Sequence, residues 1–241
     1  MLTGDTFRRR RLPHWDVPGA IYFITTCLEG SIQAQGLLDI ERHRASLARR
    51  APPTDVSAEE WQIRKWKLSF VRSEEWLDRR PGTRHLVDQR LAKQVVDAIY
   101  YFAGQRYELL AYVVMPSHLH WVFRPLDSWV TSLGQEADTR TPRERIMHSV
   151  KRYTARECNK ILGRTGAFWQ DESYDHCVLD IEELERIITY VEWNPVRAGL
   201  VAAPEPWPFS SARDRADSGI PPGQPLIRGA GFQPASGNRG R

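Results

Sequence analysis

The stretch Ala111-Tyr112-Val113-Val114-Met115-Pro116-Ser117-His118-Leu119-His120-Trp121-Val122-Phe123 decides how the chain is organised. Two apolar runs flank a Met-Pro-Ser break that is short enough for an antiparallel pair of strands. Alternate side chains of a strand point the same way, so His118 and His120 share one face while Leu119 and Trp121 share the other. Two imidazoles side by side make half of a metal site, because a neutral ring nitrogen is the commonest protein ligand for such ions. Two ordinary surface or hydrogen-bonded histidines are the competing reading of the same pattern.

Upstream, Ile21 to Cys27 is β-branched and aromatic between Pro18-Gly19 and Glu29-Gly30, which predicts a first buried strand. Leu86 to Gln105 carries Leu91, Val95, Ala98 and Ile99 at the spacing of an amphipathic helix. Downstream, Asp127 to Pro142 is polar and reads as a loop. Arg143 to Leu162 predicts a helix whose apolar side holds Ile146, Val150, Tyr153 and Ile161. Arg145, Lys151, Arg152 and Arg156 on its other faces suit phosphate contacts, a merely solvated face being the alternative. Tyr174 to Leu179 reads as a last strand. Asp180 then caps a helix with the buried stripe Leu184, Ile187, Ile188 and Val191, and Pro195 is expected to close that helix at Asn194. The succession predicts an α+β fold, a ferredoxin-like β-α-β-β-α-β core with an added C-terminal helix. Tyr190 and Asn194, four apart, share one face of that helix.

A chain of 241 residues, 41% hydrophobic and 27% charged, has material for a real core and the composition of a soluble globular protein. The net charge of +4 permits nucleic-acid contact without requiring it. No apolar run reaches the roughly 18 residues of a membrane span. The basic run Arg8 to Arg11 lacks the apolar core of a secretion signal. Three widely spaced cysteines argue against a disulfide framework and for a reducing, cytoplasmic compartment. Residues 1–20 read as a basic arm, 21–212 as the folded domain and 213–241 as a disordered tail. Residues from about 31 to 85 read as an elaboration, to which no chemistry is assigned.

Met115 to His120, Phe168-Trp169-Gln170, Asp175-His176 and the run Tyr190 to Val201 (Tyr-Val-Glu-Trp-Asn-Pro-Val-Arg-Ala-Gly-Leu-Val) together resemble the REP-associated tyrosine transposases. These are a branch of the HUH-type, single-tyrosine, single-strand transposases. The resemblance implies that His118 and His120 are the paired metal-holding histidines, Asn194 a third, amide-bearing ligand and Tyr190 the nucleophile. His176 would stand behind them, orienting a ligand or touching DNA. It further implies Mg²⁺ or Mn²⁺ as cofactor and single-stranded hairpin DNA from palindromic repeats as substrate. Cleavage and rejoining would pass through a 5′-phosphotyrosine link, in a monomer or a homodimer and with no membrane involved. The rival expectation is a module that binds such repeats without cleaving them.

Overall fold

The structure, a computed structural model, describes residues 6–9, 13–16, 19–79, 81–134, 139–171 and 173–226. A two-stranded antiparallel ribbon, β1 (Thr6–Arg9) and β2 (Pro13–Asp16), precedes the main sheet. Of the basic run, Arg8 and Arg9 lie on β1, whereas Arg10 and Arg11 lie outside the described residues.

The main sheet contains β3 (Tyr22–Cys27), β4 (Tyr107–Val114), β5 (His118–Pro125) and β6 (Tyr174–Cys177) in the spatial order β4-β5-β3-β6. Every neighbouring pair is antiparallel. The α+β class expected from the sequence is the one observed. Met115 donates its backbone N–H to the His118 carbonyl at 2.8 Å, closing the β4–β5 turn around Pro116 and Ser117. One sheet face, with Tyr22, Ile24, Leu119, Trp121 and Phe123, packs under α3 (Gln89–Tyr101) and α5 (Pro142–Ile161). The other, with Phe23, Ala111, Val113 and Val122, packs under α6 (Ile181–Arg197). Strands β3 and β4 are buried on both faces, which explains their unbroken apolar runs.

Between β3 and α3 the chain forms a helical hairpin, α1 (Ala34–Ala48) and α2 (Ala58–Arg79). Ser57 starts α2 with a reciprocal cap: its hydroxyl accepts from Glu60 N at 3.1 Å and Glu60 Oε2 accepts from Ser57 N at 2.9 Å. Arg72 and Trp76 of α2 both donate to Asp39 of α1, at 2.6 and 2.9 Å. Gly36 permits that closeness, because a Cβ there would lie 2.9 Å from the Trp76 ring. Ile40 of α1 and Leu77 of α2 lie in the same small apolar cluster beside this close approach.

Three expectations are corrected. The polar segment after β5 begins with a short helix, α4 (Asp127–Ser132), because Leu126 leads directly into a turn with Val130 N donating to its carbonyl. Pro195 does not end α6, which runs on to Arg197; a proline two residues from the end costs the helix little beyond one lost backbone bond. The tail expected to be disordered from 213 is folded through 226, while 227–241 lie outside the described residues. Its order comes from α7 (Ser211–Ser218) and the segment after it, which cover the edge strand β4. Val114 N donates to Phe209 O at 2.8 Å, Leu226 N donates to Leu109 O at 2.7 Å, and Leu226 is buried. Asp214 accepts from the hydroxyls of Tyr100 and Tyr112 at 2.6 and 2.5 Å.

Arg215 locks this cover in place. It is buried, donates to Glu192 at 2.9 Å and to Pro221 O at 2.6 Å, and bonds Leu110 O of β4. Arg215→Ala leaves Glu192 without its cation and is expected to destabilise the protein by about 3–5 kcal/mol. Urea denaturation at neutral pH checks it. A loss under 1 kcal/mol would mean the C-terminal cover contributes little.

Candidate active site

Strand β5 delivers His118 and His120 to the sheet face under α6, in register with Cys27 and Thr25 of β3. Both rings are buried, at 1% and 0% exposure. Each has its Nδ1 engaged by a hydroxyl: Ser117 Oγ lies 3.0 Å from His118 Nδ1, and Thr25 Oγ1 lies 2.7 Å from His120 Nδ1. That pins both rings so that their Nε2 atoms face each other at 3.0 Å. The outer hydrogen bond fixes ring orientation and tautomer, as it does for metal-ligating histidines generally.

Glu74 comes to the pair from α2. Its Oε2 lies 3.1 Å from His120 Nε2 and accepts from the Tyr190 hydroxyl at 2.5 Å. Its Oε1 is buried with no hydrogen-bond partner. The ligand atoms of Glu74, His118 and His120 all lie within 4.8 Å of one another, a group that could hold a metal ion. Asn194 stands at its edge, with Nδ2 3.4 Å from His120 Nε2 and Oδ1 buried without a partner. Amide oxygen and nitrogen exchange places by a half-turn, so the same side chain can present its oxygen to the cluster. Two orphaned buried oxygens beside two facing imidazole nitrogens fit a cation, which would satisfy all four at once.

Helix α6 places Tyr190 and Asn194 together because it stays helical through both. Asp180 caps it, accepting from Glu183 N at 2.6 Å, and Val191 and Ile188 press it onto the sheet. Glu183 meets Lys67 of α2 at 2.5 Å and His176 of β6 at 3.0 Å. His176 therefore braces the first turn of the tyrosine helix, and its described partner is Glu183. The Tyr190 ring lies 5.6 Å from that of His120, and the Arg197 guanidinium sits 4.9 Å from its centroid.

Burial and the neighbouring His120 push His118 down to about 3, against the pull of Glu74, so the ring is neutral and ready to ligate at neutral pH. Burial works to raise the Glu74 carboxyl, but His120, His118 and the Tyr190 hydrogen bond outweigh it and hold it at about 2. Burial and the Glu74 charge raise the Tyr190 phenol well above its ordinary 10. In this arrangement the cluster is covered: Phe70 of α2 stacks on Tyr174 at 3.8 Å and meets the Tyr190 ring edge-on at 6.2 Å.

Of the sequence candidates, the structure brings together His118, His120, Tyr190 and Asn194. Arg145, Lys151, Arg152 and Arg156 sit on α5, across the sheet from the cluster. There Lys151 donates to the Gln170 and Asp171 carbonyls at 2.7 and 3.0 Å, Arg145 to the Arg140 carbonyl at 3.2 Å, and Arg156 to Glu157 at 2.6 Å. Arg152 is exposed. The segment 31–85, to which no chemistry was assigned, supplies Glu74, and this is a correction. A signal existed: Phe70, Glu74 and Leu77 fall at i, i+4 and i+7, which sets a carboxylate inside an apolar stripe.

No protein-family model matches the chain. A putative REP-associated tyrosine transposase of Haemophilus influenzae is 25% identical over 111 residues, covering 44% of this chain and 58% of that protein. The REP-associated tyrosine transposase of Escherichia coli K12 is 24% identical over 116 residues, covering 48% of this chain and 61% of that one. The matches thus span about three-fifths of the relatives' length. A solved structure of a REP-associated tyrosine transposase bound to a REP hairpin is 16% identical and aligns over 90% of this chain and 92% of the other, with a TM-score of 0.50. The chain is similar to these transposases in sequence, and it shares the fold of the solved one.

The His118 shift has a measurable consequence. Its pKa is lower folded than unfolded (about 3 against 6.5), so the unfolded chain takes the proton first as the pH falls. Stability from this group is present above 6.5 and is lost progressively as the pH drops towards 3. In metal-free buffer His118→Gln should flatten that part of the profile. Urea melts at pH 7 and pH 5 check it, and an unchanged pH slope would contradict the buried neutral ring.

Proposed function

We propose that this protein cleaves and rejoins single-stranded DNA at hairpin-forming palindromic repeats, through a transient 5′-phosphotyrosine bond to Tyr190. The observation that carries the reading is the Tyr190 hydroxyl, which shares Glu74 Oε2 with His120 inside the buried Glu74–His118–His120 group. The likeness to REP-associated transposases, one of them solved with a REP hairpin, supports the substrate class.

Tyr190 Oη attacks the phosphorus, the bond from phosphorus to the 3′ oxygen breaks, and the strand is left with a 3′-hydroxyl and a 5′-phosphotyrosine. The phenolic proton has an acceptor in place in Glu74, and the departing 3′ oxygen gains a proton. The bond energy stays in a phosphodiester, so a 3′-hydroxyl reverses the step without ATP. Glu74, His118 and His120 would hold the ion, with Asn194 turning its oxygen inward. When bound, a divalent cation supplies electrostatic stabilisation of the phosphate as its charge develops. Two imidazoles and one carboxylate suit Mn²⁺ better than Mg²⁺, which prefers all-oxygen sites. The shielded cluster requires α2 to draw back before a phosphate can reach it, and the Phe70–Tyr174 stack is the contact that must open. The protein would act in the cytoplasm, as a monomer or homodimer.

A second reading, a module that binds such hairpins without cleaving them, is favoured by the raised Tyr190 phenol and the closed site. One assay separates the two. Full-length protein is incubated with Mn²⁺ or Mg²⁺ and labelled hairpin DNA from repeats beside its own gene, then run on a denaturing gel. A covalent adduct is expected with the wild type and none with Tyr190→Phe or His118→Ala. Tight binding with no adduct in either metal would select the non-cleaving module. Glu74→Gln should lower adduct yield about 10- to 100-fold and abolish the Mn²⁺ preference. A yield equal to wild type would remove Glu74 from the site.

A further inference from the structure

Tyr190 and Arg197 are seven residues apart, so they share a face wherever one continuous helix carries both. The condition is met because α6 runs past Pro195 to Arg197. A helical side chain leans back towards the N-terminus, and the Arg197 guanidinium accordingly lies over the Tyr190 ring, 4.9 Å from its centroid. Such a contact is worth about 0.5–1 kcal/mol at an exposed position, too little to keep an arginine from a stronger partner. Arg197 is exposed, and among the described residues it makes no ion pair.

Other cations of the fold are already engaged. Lys67 is held by Glu183 at 2.5 Å and Arg215 by Glu192 at 2.9 Å, while Arg145, Lys151 and Arg156 lie across the sheet on α5. The surroundings of Tyr190 are also one-sided. Phe70 and Glu74 of α2 meet it on one side, whereas Trp193, 46% exposed, and Arg197 leave the next turns of α6 open. Glu74 and Asp78 of α2 place negative charge near the phenol, which opposes an arriving phosphate. A phosphate there needs a cation those carboxylates have not taken. The planar fork of an arginine matches two phosphate oxygens, and leaving the ring costs it little.

We infer that Arg197 grips the phosphate that Tyr190 attacks and then carries, donating through its guanidinium N–H groups to the non-bridging oxygens. The inference rests on the phosphotyrosine reading above and adds a catalytic residue to it. Arg197 and Tyr190 ride on one helix, so the grip persists once the phosphate is bonded to Oη. It keeps the linked strand in place while one 3′-hydroxyl leaves and another arrives. Arg197 also lies in the last turn of α6, where a positive charge complements the helix dipole. A lysine serves that second role equally well but lacks the fork, so Arg197→Lys separates the two.

Two measurements on the full-length chain test it. In the gel assay Arg197→Ala is expected to lower adduct yield about 100-fold, with Arg197→Lys in between and added guanidinium ion restoring part of the loss. A helix-end role alone predicts Arg197→Lys equal to wild type and no rescue, and that result overturns the proposal. The second measurement uses Tyr190→Phe, which keeps the ring and cannot cut. Fluorescence anisotropy in Mn²⁺ reads its binding to hairpins whose unpaired strand carries one uncharged methylphosphonate, moved from position to position. At the phosphate that the wild type cleaves, loss of the charge should weaken Tyr190→Phe about tenfold, but the double variant with Arg197→Ala by no more than about twofold. Equal losses in the two proteins at every position, or a difference confined to a phosphate that is not cleaved, overturn the proposal. A difference at one phosphate with no wild-type adduct in either metal would keep Arg197 as the phosphate ligand of a non-cleaving protein, the cleavage reading alone having failed. An adduct with no such difference would leave the cleavage reading standing without Arg197.

Discussion

Two buried imidazoles whose Nε2 atoms meet at 3.0 Å are the constraint on which the rest of this structure depends. Each ring must stay dry, hold one orientation and keep one nitrogen free of the sheet. Alternation along β5 puts both on one face, and the antiparallel register with β3 brings Thr25 beside His120. Ser117, in the turn, does the same for His118. A slip of one residue in that register would exchange the two histidines with Leu119 and Trp121 and bury the wrong chemistry. The double-sided apolar burial of β3 and β4 forbids the slip.

The helices around the cluster are located by ion pairs with a buried carboxylate as well as by apolar packing. Lys67 and His176 meet Glu183, Arg143 meets Asp175, and Arg215 meets Glu192. Such pairs recover little more than their desolvation, so their effect is on placement: a helix that slid along its groove would strand a charge. Each pair joins a helix to another element of the fold, and Lys67–Glu183 spans the greatest separation along the chain. α2 is held to α6, α5 to β6, and α7 to α6, and the last also closes the edge of β4. Helix α2 meets the cluster itself through Glu74 and through Phe70, whose ring packs against those of Phe23, His120, Tyr174 and Tyr190.

Much of this was legible in the chain because local rules happen to agree with the fold here. The alternation in His118 to Phe123, the period of Leu91 to Ile99 and the Asp180 cap each name an element on their own. Tyr190 and Asn194 were placed on one face by helical spacing alone. Pro195 misled, since the restriction that proline puts on its predecessor is a preference, and packing of Val191 and Asn194 outweighs it. The Gly-, Pro- and Arg-rich stretch after Ser210 misled for a different reason. Its composition is poor in apolar residues, but through Leu226 it is ordered by hydrogen bonds to an edge strand and by one buried arginine, neither of which composition records.

The sequence by itself determined the class of the fold, the pairing of His118 with His120 and the four-residue step from Tyr190 to Asn194. These are consequences of period, and period is local. Only the tertiary structure decided that Glu74, 44 residues before His118 in the numbering, completes the group, that the phenol is held by that carboxylate, and that the basic helix lies across the sheet from the histidines. Those facts depend on how far apart segments of chain come together. The convergence of α2 on β5 is set by the packing of whole faces, and no spacing within one segment encodes it.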